Sequence, residues 1–521
     1  MKNITLLKAK VGILAVSCLS ITALFACVDK DARSDLNPNL PTDQAQNGDF
    51  GDQGGGSEQG LNFPVFDDGV LAFPGAEGYG KNVTGARAGE GREIYHVTNL
   101  NDAGPGSFRD AVSKPWRIIV FDVSGVIKLS SNPIVLKSNQ TILGHTAPGD
   151  GIVLYNGCVS ASGAQNLIVR YLRIRMGAAY PSELDACGIA NGANMIFDHC
   201  SMTWGKDECF SINPDGKGTA PKNITIQNSI IGQGLQNHSC GGLMQTDISN
   251  GCTIFRNLYI DNKTRNPKVK GLNQFVNNVV YNWGSGAAYN MSGDSQGKSE
   301  TTIENNYFIV GPCHNWQNVA QPDGSIKTEY VPMNPARPFT GGNGNFNTYC
   351  KGNYYDNNKD GALDGVEITE TNWSQYCSGS PVFLEARSDL HPIIRSQKSA
   401  QEAYEWVVEK VGAYLPVRDE VDKYLMDELI SLGRKGTIIQ DERKAEQFPL
   451  GGPGTINAAQ KPLDSDNDGM PDAFEDAWGL DKYDSTDAVK EAKNGYLNIE
   501  NYALSLEYPD EYEYELNKNK Q

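Results

Sequence analysis

The residues with the types to do chemistry in this 521-residue chain fall into two sets. One is dispersed: Asp207, Glu208, Gln236, His238 and Arg265 follow short, recurring apolar phrases, with Lys268 and Lys270 close behind. Brought to one face, a carboxylate, a polar middle and an arginine would line a groove for an extended polymer. The other set is local. In the run 464–475, DSDNDGMPDAFE, carboxylates alternate with other residues around a glycine, so several oxygens can converge on one hard cation.

The dispersed set needs a repeating element to assemble it. From about residue 166 to 310 one phrase returns: a β-rich stretch, a small or polar residue, and another short β-rich stretch. It reads IVRYL at 168–172, IFDH at 196–199, ITIQN at 224–228, IFRN at 254–257, FVNN at 275–278 and TIEN at 302–305. Aligned, Tyr171, His199, Asn228, Asn257, Asn278 and Asn305 are equivalent, at spacings of 28, 29, 29, 21 and 27 residues. Periods of that size mark a solenoid and are too short for propeller blades. Short alternating strands, without long amphipathic helices in this region, predict a right-handed parallel β-helix. Asn228, Asn257, Asn278 and Asn305 then stack at one turn, each amide bonding the next coil. On this register Asp207 lies eight residues past His199 and Arg265 eight past Asn257. The two therefore share a face two coils apart, or roughly 10 Å. Gln236 and His238 belong to the coil between, and His199, in the turn stack, is assigned to structure.

The segment 195–211, MIFDHCSMTWGKDECFS, resembles the W-I-D-H-x-S element of polysaccharide lyase family 1, the pectate lyases, through Asp198 and His199. RNPKVKG at 265–271 resembles the family's R-x-P-x-x-R, and FPGAEGYG at 73–80, HVTNL at 96–100 and GSFR at 106–109 look like the opening coils of its bacterial branch. The resemblance covers about 70 to 312, with its motifs in family order. It implies β-elimination on polygalacturonate or pectin: the C5 proton of a galacturonate is removed, the 4-linked sugar leaves, and an unsaturated uronate remains. It also implies Ca2+ as a Lewis acid on the substrate carboxylate. Alignment to the family makes Asp185 and Asp207 the calcium ligands, with Glu183 and Glu208 as neighbours, and Arg265 the Brønsted base. Many relatives carry an acid four positions past the Asp207 match, where this chain has Ser211, and a second arginine where it has Lys270. Ser211 depletes the metal site, and Lys270 pairs with a substrate carboxylate without the bidentate fork. Lys268 assists, and His238 stands on the intermediate coil, where the family has a lysine.

Lys+Arg 45 against Asp+Glu 63 gives a net charge of -18, the wrong sign for a nucleic-acid partner. Between 256 and 270, however, Arg256, Lys263, Arg265, Lys268 and Lys270 face only Asp261, a local net of +4 that suits a polyanion. One alternative is a hydrolase on the same β-helix, which would need carboxylates acting as acid and base. An arginine-centred site argues against it. The other is a noncatalytic pectin-binding surface protein, kept open by Ser211 and Lys270.

At the start, Lys2, Lys8 and Lys10 precede an apolar run from Val11 to Phe25, a secretory signal that is short for a spanning helix. LFAC at 24–27 resembles a bacterial lipobox with Cys27 as the lipidated residue, and the acidic residues after it resemble the export tag of Bacteroides-type surface lipoproteins. These resemblances imply an outer-membrane lipoprotein at the cell surface or in the periplasm. The expected plan is a signal over 1–26, a disordered tether over 27–62, the β-helix over 63–378, a helical extension over 379–455 and a calcium-loop module over 456–521, in a monomer. Nine cysteines beyond Cys27 show no CxxC metal pairing, and Cys200, Cys209 and Cys252 are expected as buried thiols. In 399–433 apolar residues recur at three- and four-residue steps, which predicts two amphipathic helices covering the end of the β-helix. The run 464–475 has acids at loop positions 1, 3 and 5, glycine at 6 and glutamate at 12, the spacing of an EF-hand-type calcium loop. Asp464, Asp466, Asp468 and Glu475 are its expected ligands, with Asp472 direct or through water, in a structural role.

Overall fold

Each recurring phrase is too short to bury its own apolar faces, so the phrases stack. The computed structural model describes residues 61, 69–130, 132–284, 288–291, 298–335, 337–342 and 344–518. They form a right-handed parallel β-helix of three sheets: sheet A with eleven strands, sheet B with ten and sheet C with eight. One coil runs through Ala193–Asp198 in sheet A, Ser201–Thr203 in sheet B and Phe210–Ile212 in sheet C. The next runs through Lys222–Gln227, Ile230–Gly232 and Leu243–Gln245. Met195, Phe197, Phe210, Ile224 and Ile226 belong to one continuous core. Ile168 and Ile196 of sheet A, and Ile230, Leu258 and Ile260 of sheet B, are buried as well, because other parts of the chain cover those outer faces. This double burial is why the phrases read as nearly continuous apolar runs. Sheet C is the open one: Gly188, Leu243, Gln245, Lys268 and Lys270 alternate with buried residues and remain partly exposed.

Register at the turn from sheet A to sheet B differs from the expected one by a residue. Arg170, Asp198, Gln227, Phe255, Val276 and Glu304 are paired in succession. The residues that follow them, Tyr171, His199, Asn228, Arg256, Asn277 and Asn305, are therefore the equivalent set, and all six have a left-handed φ between 50° and 57°. Asparagine tolerates that conformation better than most side chains. The amide ladder stands one residue further on. Asn257 N–H donates to Asn278 Oδ1 (2.9 Å), Asn278 N–H to Asn306 Oδ1 (2.7 Å) and Asn306 N–H to Asn353 Oδ1 (3.2 Å). Ser229 N–H donates to Asn257 Oδ1 (2.9 Å) at the other end. Asn257 and Asn278 thus belong to the ladder, and Asn228 and Asn305 to the left-handed stack. The doublets at 277–278 and 305–306 hide the slip, since either asparagine of each pair can be aligned.

The two predicted helices form at Ala400–Lys410 and Glu420–Leu429. Ser399 caps the first in a reciprocal box with Glu402, and Ala400, Ala403, Tyr404 and Val407 make its buried face. They lie along the outer face of sheet B, against Ile230, Leu258, Val279 and Tyr307, not over the end of the β-helix as expected. The reason is physical: that sheet face is apolar along its length and would otherwise meet water. Buried ion pairs from Arg175 to Asp419 (2.7 Å) and Asp422 (2.9 Å) fix the second helix. The C-terminal helices Asp472–Trp478 and Asn498–Glu507 cover sheet A in the same way, through Met470, Phe474, Trp478 and Ile499. Arg170 pairs with Glu507 (2.7 Å) and Arg87 with Glu500 (3.0 Å) at that seam. The β-helix, the helical extension and the C-terminal segment belong to one compact unit, and sheet A itself runs past 378 to Val382–Phe383. The nine cysteines of the described residues are free thiols, and Cys200, Cys209 and Cys252 are buried. Among the described residues no helix is long and apolar enough to cross a membrane. Residues 1–60, with the apolar run, Cys27 and most of the tether, lie outside the described residues.

Asn278→Ala deletes the acceptor for Asn257 N–H and the donor to Ile254 O together. It should lower unfolding stability by about 3 kcal/mol, the sum expected for two buried backbone groups left unpaired. Urea titration reads this as a lower midpoint at unchanged slope. A loss below about 0.5 kcal/mol would mean that the ladder does not hold the coils together.

Candidate active site

The loops running from sheet B to sheet C carry most of the candidate residues, and each leaves sheet B through a left-handed residue. Trp204, Gln233, Asp261 and Asn282 have φ between 50° and 61°. Trp204 Nε1 donates to Gln233 Oε1 (2.7 Å), and Gly234 N–H donates to Asn262 Oδ1 (2.9 Å), so successive loops are stitched together. Parallel bridges link Glu208 to Cys240 and Cys240 to Thr264. In this register Lys263, not Arg265, is the counterpart of Asp207, and Arg265 follows two residues on in the same loop. Arg265 itself has a φ of 56°. A left-handed arginine costs on the order of 1 kcal/mol. Its carbonyl accepts Gly242 N–H (2.7 Å), which holds the residue in place.

Asp185, Asp207 and Glu208 bring one carboxylate oxygen each within 4.8 Å of one another. Glu208 N–H donates to Asp185 Oδ1 (3.1 Å), and Arg265 Nη1 forms an ion pair with the Glu208 carboxylate. His238 Nε2 lies 2.9 Å from Asp207 Oδ1 and 3.9 Å from Glu208 Oε1. Burial, then Asp185 and Asp207, push the Glu208 carboxyl up to about 8 despite Arg265. Burial also raises Asp185, against the hydrogen bonds it accepts. The cluster therefore resists carrying its full negative charge without a further cation beside Arg265, and its all-oxygen donor set fits a hard cation such as Ca2+. Glu208, His238 and Cys240 also converge. Burial pushes the Cys240 thiol up to about 12, so it offers no thiolate near neutral pH and the oxygen set is the better ligand group.

The other predicted residues distribute themselves around this centre. Glu183 is exposed and stays out of the carboxylate cluster. Ser211 is buried, hydrogen-bonds Asp185 and accepts Leu243 N–H (3.2 Å), so it fixes a ligand where a further acid was missed. Lys268 and Lys270 flank buried Val269 on the strand paired with Leu243–Gln245, which places both on the open side of sheet C. Arg256 leaves the expected charge patch: it is buried at the turn between sheets A and B, 3.7 Å over the Trp406 ring. Asp261 is buried too and accepts a bond from Asn282 (2.5 Å). The cations of this face are Lys263, Arg265, Lys268 and Lys270. The sequence gives Lys263 no site role, because the turn register and the loop together shift the counterpart of Asp207 by two residues from Arg265. Its Nζ donates to Asn237 O (2.6 Å), on the intermediate coil where no lysine stands.

A cleft of about 410 Å³ runs from Asp185 and Ser211 along sheet C, past Leu184, Ser160, Val159 and Pro133. A second cavity of about 540 Å³ opens at the turn between sheets A and B, beside His199, Arg256, Trp406 and Glu507, and holds none of the carboxylate cluster. His199 stacks on Tyr171 there (4.9 Å between centroids, 8° between planes), with Nδ1 3.2 Å from Gly412 O. Burial draws its imidazole down to about 4, so it is a neutral packing residue.

An open solenoid face with a cleft, a row of cations and three clustered carboxylates that share one guanidinium suits a β-helix protein that handles acidic polysaccharides. The family model for pectate lyases matches residues 74–354. The chain is 48% identical over 437 residues to a probable pectate lyase C of Aspergillus fumigatus, covering 84% of this chain and 94% of the relative. It is 47% identical over 448 residues to a probable pectate lyase C of Aspergillus flavus, covering 86% and 96%. Among solved structures, the thermostable pectate lyase PL 47 matches with a TM-score of 0.43 and 14% identity, over 65% of this chain and 97% of that one. The chain belongs to the pectate lyase family and is a polysaccharide lyase. The hydrolase and noncatalytic alternatives give way to it. These relatives are fungal, which corrects the expectation of a Bacteroides-type outer-membrane lipoprotein anchored through Cys27 at the cell surface or in the periplasm. A lipobox-like tetrapeptide is a short signal beside similarity over most of the chain.

The raised Glu208 carboxyl gives a signed test. Its folded-state value of about 8 lies above its ordinary 4.5, so ionisation costs stability above pH 8, and that cost vanishes below the ordinary value. In chelator above pH 8, Glu208→Gln should therefore melt no lower than the parent chain, while its gain in Tm on adding calcium should shrink. A full calcium response in the variant would remove Glu208 from the cation site.

Proposed function

We propose that this chain cleaves polygalacturonate by calcium-assisted β-elimination in the sheet C cleft. The observation that carries the reading is the ion pair of Arg265 with Glu208 inside the cluster of Asp185, Asp207 and Glu208. Those three carboxylates would hold Ca2+. Bound there, calcium supplies the positive charge that neutralises a uronate carboxylate and makes the neighbouring C5 proton more acidic. Lys268 and Lys270, on the open side of sheet C, pair with carboxylates of flanking sugars. Lys263 brings a cation to the loop of the intermediate coil, beside Asn237, and His238 meets the substrate beside Asp207.

Arg265 acts as the base. Burial lowers the proton affinity of its guanidinium, but Cys240 and Glu208 outweigh burial and the net shift is upward. In that state the guanidinium keeps its proton. With Glu208 and Asp207 engaged as ligands their opposing contribution is neutralised, Cys240 stays an uncharged thiol, and burial then favours release of a guanidinium proton from Arg265 to solvent. The C5 proton then passes to a guanidine nitrogen, the C5–H electron pair becomes the C4–C5 double bond, and the C4–O4 bond breaks. The departing oxygen takes a proton from water.

Ultraviolet absorbance of the unsaturated uronate, followed on polygalacturonate in calcium and then in chelator, tests this reading. The signal should rise with calcium and vanish in chelator; reducing ends released without absorbance would overturn it. Arg265→Ala should lower kcat by about 10³-fold, within the range for loss of a proton-transfer group, with an unchanged circular dichroism spectrum. Near-parental turnover in that variant would remove Arg265 as the base.

A further inference from the structure

The acidic loop near the C-terminus folds into a site that differs from its sequence pattern in one ligand. Asp464, Asp466 and Asp468 each bring an oxygen within 4.8 Å of the others, and Asp468, Glu475 and Asp487 do the same. Asp487 lies outside the loop, in the turn between the helices Asp472–Trp478 and Asn498–Glu507. Asp472, the expected ninth-position ligand, is committed elsewhere: its two oxygens accept Ser465 N–H (2.8 Å) and Ser465 Oγ–H (2.8 Å). It shapes the loop without facing the cluster.

Glu475 is fully buried, Asp468 is 3% exposed and Asp487 4% exposed. Both oxygens of Glu475 and of Asp466, Asp468 Oδ2 and Asp487 Oδ1 are buried without a hydrogen-bond partner. The other Asp468 oxygen accepts Met470 N–H (2.8 Å), and the other Asp487 oxygen accepts Asp481 N–H (3.1 Å). Each of these two side chains is thus oriented by the backbone, with one oxygen left over. The cation paired with the loop is Lys461, whose Nζ lies 3.5 Å from Asp464 Oδ2 and is shared with Asp122 (3.1 Å). A buried carboxylate left without a partner is expensive. Two triads of carboxylates that share Asp468, with six buried oxygens unpartnered, call for a divalent ion, and an all-oxygen set of this charge suits calcium.

We propose that Asp464, Asp466, Asp468, Glu475 and Asp487 form a calcium site distinct from the sheet C cleft, in which Asp487 closes the shell in place of Asp472. The ion ties the loop at the start of the helix Asp472–Trp478 to the turn that leads into Asn498–Glu507. Met470, Phe474, Trp478, Ala488 and Ile499, all in or beside that tie, pack with Ile118 and Val120 of sheet A. The site is therefore a clasp on the cover of sheet A, and its occupancy sets how firmly that cover is held.

The test uses the full chain, stripped of metal and titrated with calcium by calorimetry, with thermal unfolding followed in parallel. Asp468→Asn and Asp487→Asn should each weaken the same class of calcium binding by about tenfold or more, as loss of a charged ligand does, and should reduce the calcium-dependent rise in Tm alike. Asp472→Asn should retain that class. Turnover at saturating calcium should persist in Asp487→Asn, which separates this site from the cleft. The Asn variants remove an unpaired buried charge, so in chelator they should fold at least as stably as the parent chain. Loss of the class in Asp468→Asn but its retention in Asp487→Asn would overturn the role of Asp487 while leaving the loop as a site. Retention in both would overturn the site.

Discussion

A backbone N–H held by the side-chain amide of the next coil is the bond on which the rest of this molecule depends. The run from Ser229 through Asn257, Asn278 and Asn306 to Asn353 repeats it at one corner of every coil it crosses. In a strand the side-chain period is two, so a slip of one residue exchanges the inner and outer faces. On the strand Lys268–Lys270 a slip would turn two ammonium groups into the core and Val269 out to water. The ladder forbids this at the corner before sheet B, upstream of the loops that carry His238 and Arg265. Loops of differing length can then vary freely between fixed ends, as the coils separated by 21 and 28 residues illustrate.

Charge is handled in two opposite ways within this framework. Where carboxylates serve only to join elements, the chain supplies arginines: Arg170 stands between Asp198 and Glu507, and Arg175 between Asp419 and Asp422. In the cleft and at the C-terminal loop it does not. Three acids share one guanidinium at Asp185, Asp207 and Glu208, and the loop acids share a lysine that also serves Asp122. A protein that neutralises buried acids at two seams, and supplies fewer cations than acids at two other places, has at those two places the charge pattern on which the proposed calcium sites rest.

How far this was legible in the sequence follows from the range of the interactions involved. The solenoid could be read because its cause is local: each phrase carries its own strand, turn and apolar face. Asp207 and Glu208 could be singled out because they sit within the 195–211 motif, and Asp185 only through the family resemblance. The register could not be read to the residue, since the asparagine doublets at 277–278 and 305–306 satisfy two alignments and only pairing between coils chooses. The loops between sheets B and C shift the register by a further residue, so that Lys263 and not Arg265 stands opposite Asp207. The helices over sheet B were visible as amphipathic segments, but their docking face depends on how much apolar surface the sheet leaves uncovered, which is a property of the assembled coils. Asp487 had no motif to announce it, because it enters from a separate turn.

The two proposed cation sites also differ in what they would ask of the ion, and this follows from their depth. At the cleft the carboxylates border an open face, Asp207 is nearly half exposed, and a substrate carboxylate can complete the shell. Its occupancy can therefore depend on substrate. The C-terminal cluster is closed by Glu475 and Asp487, both buried, so its shell is supplied by the protein alone and exchange requires the cover to loosen. One ion species can then serve turnover at the first site and integrity at the second. The separation rests on geometry: a site meant to release its partner lies on the one sheet left open, and a site meant to hold lies under a sheet's cover.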